Sequence, residues 1–212
     1  MKSQWKRSGW MLAIVFCVAA ATAGAQQYTM TLLGFAPFSN TITGTNGLNN
    51  RGDIVGYDSV TNGAFFWSSG LLSDLGMPSG VGVAINSTGW IAVRSWGPDL
   101  HSYLYNPNRV PRFASHFTDL GTLGGSGGLN NSGETLALAM NDSQTIVGAS
   151  TVGSTTNPIH AFSWSAGHMS DLGVLPGGFS TSANAINNAG QIVGDSYGTT
   201  ESTAPSRWST EP

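Results

Sequence analysis

Short apolar runs alternate with turn-forming residues along the chain after residue 25. Ile192 and Val193, for example, directly follow the turn-like run from Asn187 to Gly190. Adjacent β-branched residues suit a pleated, half-buried strand. Phe162 and Trp164 lie two residues apart, so on a strand they share one face and can fill a core. Turn signals recur about every eight to twelve residues, and residues 26–212 show no amphipathic helical pattern. The pattern therefore predicts an all-β protein.

One of these turn-plus-strand segments is repeated. The stretch INNAGQIVG at 186–194 has three relatives, which are LNNRGDIVG at 48–56, INSTGWIAV at 85–93 and MNDSQTIVG at 140–148. Asn followed three residues later by Gly is the order that a type I turn prefers. Each copy therefore predicts a tight turn followed by a strand. The third copy has Gln144 in place of Gly, at a cost of about 1 kcal/mol if this position is left-handed.

Two further signatures accompany the Asn turn. A Leu-Gly pair occurs four times and is preceded by Asp in the last three copies, and pairs of aromatic residues two apart recur as well. The Leu-Gly pairs are Leu33-Gly34, Leu75-Gly76, Leu120-Gly121 and Leu172-Gly173. In this pattern the Leu is expected to face inward and the Gly to relieve a bend. Together the signatures divide the single domain 26–212 into four units, approximately 28–67, 68–105, 106–164 and 165–208.

The size of the unit favours one all-β architecture. Successive Asn turns are 37, 55 and 46 residues apart, which matches a propeller blade of about 45 residues and four strands. We therefore predict a small β-propeller of four-stranded blades. The alternative is an open β-solenoid or repeat array, whose ends would need capping. A third possibility is an incomplete array that closes only by forming oligomers.

The first 25 residues are predicted to be a signal peptide and not part of the fold. Lys2, Lys6 and Arg7 precede an apolar run that ends before Ala23-Gly24-Ala25, which is the order of a secretory leader. The run is too short for a membrane-spanning helix, which needs about 20 apolar residues. Cleavage near Ala25 would place the protein outside the cytoplasm, in the periplasm or the extracellular space.

Removal of the leader changes the composition of the chain. Both lysines and the only cysteine are lost, so disulfides and thiolate chemistry are excluded from the remaining 187 of 212 residues. The remaining chain has five arginines and all 11 acidic residues, so the formal net charge changes from −3 to 5 − 11 = −6. A mildly acidic surface without lysine argues against nucleic acid or anionic membrane as partners.

The last unit resembles that of a known family. The stretch HAFSWSAGHMSDLGVLPGGFSTSANAINNAGQIVGDS at 160–196 is similar to the repeat of the extracellular repeat family named for its His-Ala-Phe motif, the HAF repeat family. Weaker copies, such as Ala64-Phe65-Phe66-Trp67, extend the likeness over most of 28–208. The resemblance implies a secreted bacterial repeat protein, often with more units than are present here. It implies no catalytic residue.

Several short motifs suggest chemistry but have simpler explanations. Arg51-Gly52-Asp53 spells an integrin-recognition tripeptide, yet it lies inside the Asn-turn repeat, so we interpret it as a coincidence. The run at 124–128, GGSGG, fits a hydrolase nucleophile elbow but lacks the strand and helix that this motif requires. His101 and His160 occupy the same slot before the aromatic strand and are interpreted as structural residues.

The metal and cofactor motifs are missing from the sequence. It contains no His-Glu-x-x-His motif, Cys pair or EF-hand loop, and no glycine-rich loop opens a helix as a nucleotide site would require. Asp74, Asp119 and Asp171 recur in register, which suggests a repeated hydrogen bond at a turn or strand end. A calcium ion held between blades is the one metal site that the sequence pattern still allows. We expect no cofactor and no dedicated metal centre.

Function is then expected where the units differ, since insertions in repeat folds often form binding loops. The insertion NPNRVPRFASHF at 106–117 carries Arg109, Arg112 and His116. We therefore predict a non-catalytic binding or surface-interaction module. The insertion is either a tolerated surface loop or the element that contacts a glycan or a surface protein. The alternative is a polysaccharide-acting lyase or hydrolase, which would need ionisable residues from different units to meet at the mouth of the propeller.

Overall fold

Fifteen strands in four antiparallel sheets make up the part of the chain that the computed structural model describes, which comprises residues 42–97, 100–107, 116–124, 133–153, 158–198 and 203–208. The predicted leader lies outside these residues. Sheet 1 contains β1 (Ile42–Leu48), β2 (Ile54–Asp58), β3 (Gly63–Ser68) and β4 (Leu71–Pro78). Sheet 2 contains β5 (Gly80–Ile85), β6 (Ile91–Ser95), β7 (Ser102–Tyr105) and β8 (Phe117–Asp119). Sheet 3 contains β9 (Thr135–Met140), β10 (Ile146–Thr151), β11 (Ile159–Ser165) and β12 (His168–Asp171), and sheet 4 contains β13 (Gly178–Ile186), β14 (Ile192–Gly198) and β15 (Thr203–Trp208).

Each sheet is a meander in which strands that follow one another in sequence are hydrogen-bonded neighbours. The Asn turn always joins the first and second strands, as between β13 and β14, where Ile186 pairs with Ile192. The Asp-Leu-Gly segment belongs to the fourth strand or follows it directly. Each four-stranded sheet therefore combines three strands of one sequence unit with the Asp-Leu-Gly strand of the next unit.

The predicted fold class is confirmed, because the described residues form an all-β, four-unit repeat without a helix. The first strands of successive sheets contact one another in chain order, from β1 to β5, β9 and β13. Closure of the four sheets into a propeller ring stays a prediction. Within the described ranges, no helix is long and apolar enough to cross a membrane.

The sheets pack through two distinct faces, which the second strand of each sheet defines. This strand begins with Ile, whose side chain points to what we name the Ile face, followed by Val or Ala, which points to the Val face. The Ile-face residues are Ile54, Ile91, Ile146 and Ile192, and the Val-face residues are Val55, Ala92, Val147 and Val193.

Every junction between consecutive sheets joins a Val face to an Ile face. Val55 of sheet 1 packs in one apolar cluster with Ile91 of sheet 2. Ala92 of sheet 2 lies in a second cluster with Ile146 of sheet 3, and Val147 of sheet 3 lies in a third with Ile192 of sheet 4. Apolar burial at these three junctions is the main stabilising contribution to the fold.

The sequence signatures have the structural roles predicted for them. Phe162 and Trp164 are both buried and belong to the same apolar cluster, which confirms that they share a face. Leu75 and Leu120 are buried as well, and Leu172 packs partly buried against the third cluster. The glycine after each Leu has a positive φ of 72–76°, a conformation that glycine adopts without strain.

The glycine that ends the Ile-Val-Gly triplet has a different role. Gly56, Gly148 and Gly194 lie opposite an irregularity in the pairing of the first strand. A Cβ atom added at Gly148 would overlap the carbonyl oxygen of Leu136, and the other two glycines approach a first-strand carbonyl in the same way. The bulged first strand therefore comes so close to the second strand that these positions exclude a side chain.

Candidate ligand-binding pocket

The four Asn turns have one shared geometry, seen clearly at Asn187. The N–H of Gly190 donates to the Asn187 carbonyl over 3.1 Å, and the Asn187 N–H donates to the carbonyl of Gln191. The Asn187 side-chain Oδ1 accepts the N–H groups of Ala189 and Gln191, at 3.1 and 2.9 Å. This confirms the predicted tight turn, in which the Asn side chain bonds its own backbone two residues on.

The fourth position of every turn is left-handed. Gly52, Gly89 and Gly190 have φ values of 81°, 89° and 78°, and Gln144 has a φ of 64°. Gln144 is therefore a non-glycine residue in the left-handed region, where backbone strain of about 1 kcal/mol is expected. The turn keeps its hydrogen bonds in spite of this, because Gln144 N–H still donates to the Asn141 carbonyl over 3.0 Å.

The four turns line one pocket. Each turn contributes its Asn, the residue before it and the residue after it, and the pocket has a volume of about 260 Å³. The lining residues are Leu48, Asn49, Asn50, Ile85, Asn86, Ser87, Met140, Asn141, Asp142, Ile186, Asn187 and Asn188. A motif that recurs along the sequence for reasons of backbone geometry thus brings polar groups from all four units together.

Hydrogen bonds connect the turns of neighbouring units around this pocket. Because Oδ1 of each Asn is held inside its own turn, Nδ2 is left to bond elsewhere. Asn49 Nδ2 donates to the Asn86 carbonyl over 3.0 Å, and Asn141 Nδ2 donates to the Asn187 carbonyl over 3.2 Å. At Asn86 the pattern is interrupted, since within the described part of the chain its Nδ2 is buried without a hydrogen-bond partner.

Asp142 links three of the four turns. Its carboxylate accepts the N–H of Ser87 over 2.8 Å and Nδ2 of Asn188 over 2.8 Å, and its own N–H donates to Asn188 Oδ1 over 3.0 Å. The backbone N–H and side chain of Ser87, together with Asn188, lower the pKa of Asp142 against a smaller opposing effect of desolvation. Asp142 is therefore ionised at neutral pH, and it is the only ionisable side chain among the twelve described lining residues.

The residue after the Asn is small and polar in every turn, and it is of three types across the four turns. These four side chains are Asn50, Ser87, Asp142 and Asn188. They offer amide donors and acceptors, a hydroxyl group and one carboxylate. A ligand that presents several hydroxyl groups matches this set, because a hydroxyl both donates and accepts hydrogen bonds.

The predicted ligand-binding loop begins and ends at the same end of sheet 2 as the Asn turn. Tyr105 pairs with both Ile91, which follows the turn at Asn86, and Phe117. His116 stacks on Tyr105 with ring centroids 5.5 Å apart, and its Nδ1 bonds the Asn106 carbonyl at 2.9 Å. His116 does not line the pocket. Arg109 and Arg112 lie outside the described residues.

The other repeated polar residues have the structural roles expected from the sequence. His101 Nδ1 lies 2.8 Å from Asp119 Oδ2, and His160 Nδ1 lies 2.9 Å from Asp171 Oδ2 in the next sheet. Each of these aspartates also accepts the N–H two residues further on, from Gly121 and from Gly173 respectively. Asp74 makes the same bond with Gly76.

The remaining motifs show no catalytic arrangement in the described residues. Asp53 of the Arg-Gly-Asp tripeptide is buried, and Arg51 bonds its carboxylate over 2.8 Å, which agrees with the interpretation of the tripeptide as a coincidence. Most of the GGSGG run lies outside the described ranges. Where side chains are described, no three His, Cys, Asp or Glu residues are placed to hold a metal ion.

Sequence reasoning identified the Asn turns but did not identify the pocket. The residue pattern of each turn indicates a structural element, and the pattern breaks at the 106–117 insertion indicate a different place for binding. The signal that could have indicated the pocket is the constant phase of the turns, because equivalent turns in consecutive meanders lie at the same end of their sheets. No protein family and no curated protein matches the chain in sequence.

Proposed function

We propose that this protein is a secreted, non-catalytic member of the HAF repeat family that binds a small polyhydroxylated group, such as a terminal sugar residue, at the Asn-turn pocket. The observation that carries the proposal is the convergence of four turns on one polar pocket. Secretion is supported by the leader-like pattern of residues 1–25, and family membership by the repeat at 160–196.

The size and charge of the pocket narrow the class of ligand. Its volume of about 260 Å³ lies just below the roughly 300–1,000 Å³ of sites for drug-sized molecules, which suits one sugar residue better than a long chain. The ionised carboxylate of Asp142 disfavours an anionic ligand. A neutral sugar, or one that carries an amino group, is therefore the preferred partner.

We expect the loop at 106–117 to add contacts to the ligand outside the pocket. Its described ends lie beside the turn at Asn86, and Pro107 lies close to Gly89 of that turn. We propose that Arg109 and Arg112 contact the part of a glycan or surface protein that extends beyond the pocket. A polysaccharide-acting enzyme would need a second ionisable group in the pocket, and no observation favours that alternative.

A glycan array probed with the secreted protein tests the proposal. Binding should weaken about tenfold for Asn50→Ala, because one lost hydrogen bond of about 1.4 kcal/mol has that effect. Asn184→Ala is the matched control, since Asn184 is an exposed Asn of sheet 4 that does not line the pocket. We expect this control to keep the affinity of the unmodified protein.

Three other outcomes would change the conclusion. Binding that responds only to the Arg109→Ala and Arg112→Ala changes would move the site to the loop. Binding that responds equally to Asn50→Ala and Asn184→Ala would separate recognition from the pocket. An array without any bound glycan, together with a peptide library without hits, would contradict a binding function.

A further inference from the structure

Among the described residues, the Val face of sheet 4 is exposed, unlike the Val faces of the other sheets. Val55, Ala92 and Val147 are fully buried, each against the sheet that follows, whereas the equivalent Val193 is 48% exposed. The side chain of Tyr197 points to the same face of β14 by the alternation of the strand and is also exposed.

The neighbouring strands of sheet 4 extend this exposed surface. Ala185 of β13 is exposed, whereas its counterpart Ala139 in sheet 3 packs against the third cluster. On β15, Pro205 and Arg207 are exposed as well, and the equivalent of Pro205 in sheet 3 is the fully buried Ala161. The uncovered surface thus spans all three described strands of sheet 4.

The Ile face of sheet 1 is uncovered in a complementary way. Ile54 is only half-buried, whereas Ile91, Ile146 and Ile192 are buried. Leu48 is 69% exposed, although its counterpart Ile85 in sheet 2 is buried. A groove of about 220 Å³ lies here, lined by Thr45, Asn46, Gly47, Leu48 and Ile54. Within the part of the chain that the structure describes, both faces are thus exposed in the same molecule.

We propose that the Val face of sheet 4 binds the Ile face of sheet 1 of a second copy of this chain. The three junctions inside the molecule show what each face packs against, since every one of them joins a Val face to an Ile face. Among the described residues, sheets 1 and 4 each have one exposed face of the matching kind, and the Val face of sheet 4 also carries Asp195 and Arg207. A contact between copies therefore repeats the internal junction, with Val193 packing against Leu48 and Ile54 of the partner.

The proposed contact is asymmetric, and this determines how the copies assemble. The two surfaces are different, so the contact is heterologous and each copy keeps one free face after the first association. Association then continues beyond the dimer, either to a closed ring of copies or to an open row. The mean mass in solution should therefore increase with protein concentration.

Light scattering coupled to gel filtration, over a wide range of protein concentration, measures this mass. Val193→Asp places a charge in a contact that excludes water and should weaken association about tenfold or more. Val60→Asp is the matched control, because Val60 is 47% exposed, lies in the turn after β2 and does not line the groove of the Ile face. The control should associate like the unmodified protein.

Mixing two variants separates this contact from a symmetric one. Leu48→Asp blocks the Ile face of sheet 1 and Val193→Asp blocks the Val face of sheet 4, so each variant alone should be mainly monomeric at concentrations where the unmodified protein begins to associate. The mixture should form a heterodimer that grows no further, because each variant supplies the face that the other lacks. Circular dichroism checks that both variants remain folded, as expected for changes at exposed positions.

Three results would overturn the proposal. The first is a monomer at every concentration, which would mean that the two faces do not associate. The second is an assembly that neither Val193→Asp nor Leu48→Asp weakens, and the third is a mixture that stays monomeric. The glycan array is an independent measurement, so failure of self-association leaves the proposed ligand pocket to be tested separately.

Discussion

The Asn turns and the Asp-Leu-Gly segments are both repeated polar elements that bond the next sheet. The Asn turn does so through its repeated side chain, whereas the Asp-Leu-Gly segment does so through the carbonyls of Leu172 and Gly173. Asn49 bonds the backbone of its own turn and also reaches the Asn86 carbonyl in the next sheet. Asp171 bonds Gly173 and His160, both in or directly beside its own sheet. Repetition alone therefore does not indicate a site. The difference is whether the repeated side chain still has a hydrogen-bonding group that can meet another unit.

Removal of an Asn should be more damaging than removal of an Asp. Asn49 is buried, its Oδ1 accepts two backbone N–H groups, and its Nδ2 also bonds Asp53 at 2.9 Å. Asn49→Ala should therefore lower the free energy of unfolding by about 3 kcal/mol, since buried donors lose their partner. Asp74→Ala, which removes one bond at an exposed turn, should cost about 1 kcal/mol or less. Equal losses in urea denaturation would contradict the comparison.

The next largest effect on the free energy of unfolding is expected at Asp53, the buried carboxylate beside the first Asn turn. Burial raises the pKa of Asp53, but hydrogen bonds from Ser68, Asn49 and Arg51 outweigh this effect and lower the pKa overall. The folded state therefore gains stability from the ionised form at pH values above the pKa of the unfolded chain, about 3.9. This contribution is lost as the pH falls through the lower pKa of the folded state.

Asp53→Asn tests this pH dependence. At neutral pH the variant should be about 2 kcal/mol less stable, because hydrogen bonds to a charged group are replaced by weaker ones. Its stability should then fall less steeply than that of the unmodified protein as the solution is acidified below about pH 4. The measurement is urea denaturation at several pH values. An unchanged slope in the variant would mean that other groups control the acid sensitivity.

Sequence reasoning predicted the elements of this fold because each signature is a local property. Asn187 and Gly190 specify a turn by their own conformational preferences, and Phe162 and Trp164 specify a common face by the period of a strand. The role of Asp171 and His160 as hydrogen-bonded structural residues followed from their recurrence in register. None of these inferences required knowledge of how the sheets pack.

The pocket was not predicted, and exposed end faces were expected only under the alternatives of an open or incomplete array, because both features depend on contacts between units. Asn50, Ser87 and Asp142 are far apart in sequence, and only the packing of the sheets brings them to one pocket. Val193 belongs to the same sequence motif as Val147, so the sequence gives no reason to expect one exposed and the other buried. Residue patterns therefore predicted the elements within each unit but not the surfaces that form between units.

Gln144 allows a test of the turns without any change in their contacts to neighbouring units. Its φ of 64° lies in the left-handed region, which costs a non-glycine residue about 1 kcal/mol. Gln144→Gly should therefore raise the free energy of unfolding by about 0.5–1 kcal/mol, with part of the gain offset by the greater flexibility of glycine in the unfolded chain. Urea denaturation measures the change, and Gly190→Ala at the equivalent position should shift stability in the opposite direction.

The smallest effect on the free energy of unfolding is expected at His160, which lies at the end of the sheets opposite the Asn turns. This residue pairs with Asp171 near the surface, where the side chains are 19% and 39% exposed, and such pairs contribute about 0–1 kcal/mol. Sheet 1 has Gly63 in the same slot, and Asp74 still bonds the Gly76 N–H there, so the turn does not require the imidazole. His160→Gln should therefore change the free energy of unfolding by about 0.5 kcal/mol or less in urea denaturation. A loss as large as that of Asn49→Ala would show that the His160–Asp171 pair contributes far more than a surface pair does.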